Sequence, residues 1–304
     1  MHSALFVGAI MGVSACSFSA SGASQDASLN NDMLVVDGRP GDARDDAHAD
    51  AMGDARVDAP VDAPPALRRT RLGLVLRYDF NEPAGATTIA DTSGVAPATN
   101  LRVLANTGSE PTFTGTALAT NGATVLVDVA NSSAGAKLAA ACTDAVTVEA
   151  WVLQNASAGS DGRLVSFSKI DDIAQNNLIL GSVDQDVAGV VRTQQAAGFG
   201  SALYIDGGIS PAPQLLVLRY GAGQLKLQGL TGPTAVASDT VQTQVLNGAL
   251  TWDSTFRFVM LNSTQFTSGN ARSWRGSIAA ISFYCRNLTD TEIANDRLLG
   301  AESL

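Results

Sequence analysis

The chain has 304 residues and a formal net charge of −10, from 19 basic and 29 acidic groups. No basic patch offsets that acidity, which excludes nucleic acid as an expected partner. The two histidines, His2 and His48, both lie in the first fifty residues. The rest of the chain therefore lacks the base for Ser-His-Asp or Cys-His catalysis and the ligands for a histidine zinc site.

In chain order, Ala4 to Val13 form an apolar run too short to span a bilayer, so residues 1–15 read as an export signal. The run ends in Val13-Ser14-Ala15-Cys16, which resembles the bacterial lipobox. That resemblance implies lipidation of Cys16, attachment to the membrane through the N-terminal lipid, and residence in a bacterial cell envelope as an outer-membrane lipoprotein. The pattern departs from the motif in having His2 rather than Lys or Arg ahead of the apolar run. An ordinary secretory signal with an incidental cysteine is the other reading. Residues 16–70 follow as an Asp/Ala/Pro-rich stretch, in which Ser17 to Ala66 hold ten Asp and three Arg. With so little apolar surface to bury, this stretch is expected to be a disordered, extended tether.

From residue 71 to 304 the sequence breaks into short alternating runs between Gly, Asn, Ser and Pro turns, about twelve in all. They include LVLRYDF (74–80), TVLVDV (124–129), VTVEAWV (146–152), RLVSFS (163–168), NLILGS (177–182), QLLVLRY (214–220), QLKLQGL (224–230), FRFVML (256–261) and GSIAAISFYC (276–285). One helix is evident. It starts at Thr289-Asp290-Thr291-Glu292, a capping box in which Thr289 and Glu292 satisfy each other's free backbone amides. Many short strands and one terminal helix predict an all-β fold of two packed antiparallel sheets.

Three segments sharpen that expectation: GLVLRYDFNEPAGATTIADTSG (73–94), AVTVEAWV (145–152) and WRGSIAAISFYCRNLTDTEI (274–293). In this order and spacing they resemble the opening, central tryptophan strand and closing strand of laminin-G-like, concanavalin A-like jelly-roll domains. The resemblance covers 71–304 and implies one jelly-roll β-sandwich, with residues 184–245 departing most from the pattern. It also implies an exported binding or adhesion module for a glycan or cell-envelope ligand. A structural envelope protein that binds only protein partners is the alternative.

The fold also hosts β-glucanases, which makes glycoside hydrolysis a third reading. That chemistry needs two carboxylates roughly 5–9.5 Å apart. The five glutamates after residue 70 are Glu82, Glu110, Glu149, Glu292 and Glu302, and Glu149 alone falls within a strand. No Glu-x-Asp-x-x-Glu run accompanies it, so no catalytic residue is assigned. In VTVEAWV the valines and Ala150 share one face, leaving Thr147, Glu149 and Trp151 on the other. An indole beside a hydrogen-bonding acid suits a sugar ring, so these three are candidate ligand contacts. Structural packing of Trp151 is the competing reading, as it is for Trp252 and Trp274.

Calcium binding is considered at Asp91-Thr92-Ser93-Gly94, with Asp79 contributing from the preceding strand. An Asx-turn at Asp91 accounts for the same residues without a metal. Asp171-Asp172 and Asp184-Gln185-Asp186 are acidic loops lacking a full ligand set. With Cys16 lipidated, Cys142 and Cys285 remain as an even pair in an oxidising compartment. They are read as a disulfide, or else as two buried thiols on adjacent strands.

Overall fold

Runs of Val, Ile, Leu and aromatic residues between Gly, Asn and Asp turns become strands in a computed structural model. It describes residues 69–105, 110–122, 124–128, 133–154, 161–169, 175–196, 200–263 and 272–301. The signal at 1–15, Cys16, almost all of the 16–70 tether and the Asp171-Asp172 pair lie outside the described residues.

Six strands come first: β1 (Leu74–Tyr78), β2 (Thr88–Ile89), β3 (Leu101–Ala105), β4 (Thr112–Phe113), β5 (Leu118–Thr120) and β6 (Thr124–Asp128). After α1 (Ser133–Ala141) come β7 (Val146–Gln154), β8 (Gly162–Ser168), β9 (Asn176–Val183), β10 (Asp186–Val191) and β11 (Ser201–Ile205). The chain closes with β12 (Gln214–Gly221), β13 (Gln224–Thr231), β14 (Thr240–Val245), β15 (Arg257–Met260), β16 (Gly276–Tyr284) and α2 (Asp290–Leu299).

Pairing is antiparallel throughout the named strands. The first sheet runs β14-β13-β12-β7-β16-β5-β4, with β1 also paired to β16. The second runs β11-β10-β9-β8-β15-β6-β3-β2. The result is an all-β jelly-roll sandwich with a short C-terminal helix, as the sequence predicts.

Alternation decides the core. Val146, Val148, Ala150 and Val152 of β7 point inward with Leu216, Leu218, Ile281 and Phe283 from the flanking strands. They meet Val165, Phe167, Leu178, Leu180 and Phe258 from the second sheet. Phe258 joins the layers, edge-on to Phe283 at 5.6 Å and to Phe167 at 6.2 Å between ring centroids. Trp252 and Trp274 are packing anchors. Trp274 is fully buried, while Trp252 stacks on Phe167 and donates its indole N–H to the Cys142 carbonyl, at 2.5 Å.

Two features go beyond the sequence expectation. Sixteen strands occur among the described residues rather than about twelve, in part because β2 and β4, two residues long, and β5, three residues long, are too short to show periodicity. Residues 184–245, which departed from the family pattern, supply all of β10 to β14. A second helix, α1, was also not expected. Its sequence SAGAKLAAA is rich in the best helix former, and Ala134 and Leu138, four apart, bury one face.

Cys142, just after α1, and Cys285, just after β16, form the disulfide, with Cα atoms 4.4 Å apart. The capping box is present as read from sequence, with Thr289 accepting from the Glu292 amide and Glu292 from the Thr289 amide. No helix among the described residues is long and apolar enough to cross a membrane.

Candidate functional site

Thr147, Glu149 and Trp151 do face away from the intersheet core, but they do not form an open platform. Their relative exposures are 0%, 1% and 5%. The segment leading into α2, the helix itself and the stretch beginning at Arg69 fold over this face. Thr147 donates its hydroxyl to the Arg286 carbonyl at 2.8 Å and accepts from the Leu288 amide at 3.1 Å. Trp151 packs in an apolar cluster with Leu215, Leu230, Ala280 and Ile293. A surface that alternation leaves outside the core has become a second, smaller interior.

Glu149 is the centre of that interior. Arg69 lies 3.6 Å from its carboxylate. Asp296 of α2, itself fully buried, presents a second carboxyl to it. Burial, then the Asp296 charge, push the Glu149 carboxyl up to about 8, against the pull of Arg69. Burial likewise raises Asp296, opposed by Arg69 and by the Thr70 amide that donates to Oδ1. One guanidinium faces two carboxyls, so the arrangement holds one ion pair and one proton at neutral pH. Asp296 thus gives Glu149 a neighbouring carboxyl in direct contact, closer than the roughly 5–9.5 Å spacing of a glycosidase pair, and both are buried.

The calcium candidates are engaged in another way. Asp91 accepts from the Ser93 and Thr99 amides, both at 3.0 Å, and from Lys137 Nζ at 2.9 Å. The hydrogen bonds from Ser93, Thr99 and Lys137 hold its carboxyl below the usual range, despite the opposing effect of burial. Asp91 thus makes the Asx-turn contact to the Ser93 amide and pairs with the Lys137 ammonium. Asp79 accepts from Arg77 Nε at 2.6 Å and from the Thr92 hydroxyl at 2.5 Å. No group of three or more His, Cys, Asp or Glu suited to a metal occurs among the described residues. At the β9–β10 turn, Asp184 adopts a positive φ of 53° and Asp186 accepts from the Gly207 amide.

An open polar cavity of about 430 Å³ lies beside β1. Arg77, Asp79, Asn81, Gly115, Thr116, Ala279 and Ala301 line it. Arg77, nearly fully buried, forms its wall and is fixed by Asp79, by Ser282 Oγ at 3.1 Å and by the Ala301 carbonyl at 2.9 Å. Asn81 and Thr116 are exposed and present an amide and a hydroxyl at the rim. Of these residues, sequence reasoning singled out Asp79 alone, and for a metal. Arg77 and Asp79 share one strand face at i and i+2, the one signal that could have paired them. Gly115, Thr116 and Ala279 come from β16 and the turn before β5, and no local pattern brings them there.

The fold and cavity define a jelly-roll sandwich with a polar surface pocket. No protein-family model matches the sequence, and no curated protein matches it. Among solved structures, the binding domain of botulinum neurotoxin DC in complex with "SialylT" is similar at 10% identity and a TM-score of 0.46. The alignment covers 73% of this chain and 50% of that one. The receptor-binding domain of a botulinum neurotoxin C/D mosaic serotype gives 12% identity and 0.48, over 73% and 50% of the two chains. The Ruminococcus gnavus IT-sialidase CBM40 bound to α2,3-sialyllactose gives 18% and 0.39, over 50% and 82%. This chain thus spans about half the length of the toxin domains it matches. Likenesses this distant assign no ligand.

Proposed function

We propose that the protein is a non-catalytic binding module for a glycan, displayed on an acidic tether and anchored through Cys16 in a bacterial envelope. The observation that carries this reading is the open cavity beside β1, whose rim offers the Asn81 amide and the Thr116 hydroxyl, with the half-buried Asp79 carboxylate held in its wall by Arg77. Such groups match the vicinal hydroxyls of a sugar, and the volume suits one or two rings. The absence of histidine after residue 48 and the burial of Glu149 with Asp296 support binding rather than turnover.

The test is a glycan array followed by calorimetry on any hit, with Asn81→Ala/Thr116→Val as the perturbation. Both side chains are exposed, so the variant should keep its melting temperature and lose at least tenfold in affinity. A hit unaffected by this variant would place the ligand elsewhere, and a blank array would remove the glycan reading. For the anchor, fatty-acid labelling of cells should mark the wild type and leave Cys16→Ala unlabelled.

A further inference from the structure

The lateral edges of the two sheets are finished differently. β2 and β4 close theirs with two residues each, too short to template another strand. β14 closes the first sheet with six, five of them exposed, including Val241 at 47% and Val245 at 71%. Its sequence, TVQTQV, contains no charge and no proline, and its register with β13 is unbroken by a bulge. Those are the devices that usually blunt an open edge.

Residues 241–245 read Val-Gln-Thr-Gln-Val, the same in both directions. Two antiparallel strands related by a two-fold axis place a palindrome opposite itself. The register with β13 fixes which backbone groups are free to do so. Val245 stands opposite Gln224 and Gln244 opposite Leu225, and the next amide, Leu246 N–H, donates to the Gly223 carbonyl. Backbone groups alternate sides along a strand, so Thr240, Gln242 and Gln244 point theirs at β13. Val241, Thr243 and Val245 therefore point N–H and C=O at the open edge. Their side chains lie on the outer sheet face, while Gln242 and Gln244 share the face of the core residues Leu227 and Leu225.

We propose that a second copy of this chain pairs antiparallel along β14, about a two-fold axis through Thr243. Thr243 exchanges two backbone hydrogen bonds with its counterpart. Val241 exchanges two with the partner's Val245, and Val245 two with the partner's Val241. Valine meets valine on the outer face and glutamine meets glutamine on the inner face, so the two first sheets become one continuous sheet. No like charges are apposed, since the nearest on that face, Lys226, lies on β13 and is paired with Asp290. At one hydrogen bond per 100–200 Å², six bonds correspond to roughly 600–1,200 Å² of total buried area. That is at or below the lower limit of standard interfaces, so the dimer is weak and concentration-dependent. β11, the other long edge, lacks this symmetry: an axis through Leu203 opposes Ser201 to Ile205 and Ala202 to Tyr204.

Sedimentation velocity of the full chain from micromolar to near-millimolar concentration tests this. The wild type should move from monomer to dimer and stop there. Val241→Lys/Val245→Lys sets lysine against lysine at both outer pairs and should remain monomeric. Val241→Lys/Val245→Glu sets each lysine against a glutamate of the other copy and should restore the dimer. The two sites are about 13 Å apart along one strand and cannot pair within a chain. Thr243→Pro removes an N–H that points away from β13 and makes no bond among the described residues, so it should abolish the dimer without lowering the melting temperature, and it decides the matter if the lysine variant misfolds. Ala202→Lys on β11 should leave the dimer intact. A wild type that stays monomeric, or grows beyond a dimer, overturns the proposal. So does a folded double-lysine variant that associates like wild type, a Lys/Glu variant that fails to recover, or a dimer lost in Ala202→Lys.

Discussion

Replacing Glu149 with glutamine tests the buried acid pair most directly. The folded protein holds a proton on Glu149 up to about pH 8, whereas an unfolded glutamate releases it near 4.5. Between those values the folded state binds the extra proton, so stability falls as pH rises, and it is flat with respect to this group on either side. The slope is about 1.4 kcal/mol per pH unit, so the full interval is worth up to about 5 kcal/mol. That is a large share of a typical domain's 5–15 kcal/mol. Glutamine keeps the shape, needs no proton, and leaves Arg69 paired one-to-one with Asp296. Urea unfolding of both proteins at each pH from 5 to 9 should show wild type losing ground to Glu149→Gln across the interval and matching it closely at pH 5. Parallel pH profiles would refute the reasoning, because they would mean that Glu149 is ionised in the folded state with its charge fully compensated.

The disulfide closes a loop with a sequence separation of 143 residues. On the chain-entropy model, Cys142→Ala/Cys285→Ala should cost about 5 kcal/mol, less any strain released, read as a lower urea midpoint. A midpoint unchanged from wild type would show that the bridge does not constrain the unfolded chain. Gly181 sits where β9 crosses close to β8, and an added Cβ would lie 2.2 Å from the Gly162 carbonyl oxygen. Because that neighbour is backbone, Gly181→Ala should destabilise by about 1–3 kcal/mol. A melting temperature equal to wild type would mean that the two strands separate at little cost.

The sequence by itself determined what depends on neighbours along the chain. Alternation in VTVEAWV gave the inner and outer faces of β7 correctly, and the capping box placed the start of α2. The composition after residue 71 led to a two-sheet sandwich, since a period of two with frequent turns buries apolar area in no other economical way. Short strands such as β2 and β4 were not legible, because two residues carry no period. For the site, alternation states which face Thr147, Glu149 and Trp151 occupy, but nothing local states what lies upon that face. That was decided by tertiary structure: α2 and Arg69 arrive from opposite ends of the domain and seal it, and Asp296 reaches Glu149 only because the helix folds back. The same long-range folding brings Arg77, Gly115 and Ala301 around one cavity. Such contacts join residues far apart in the chain, and their energy comes from burial and pairing that no local window contains.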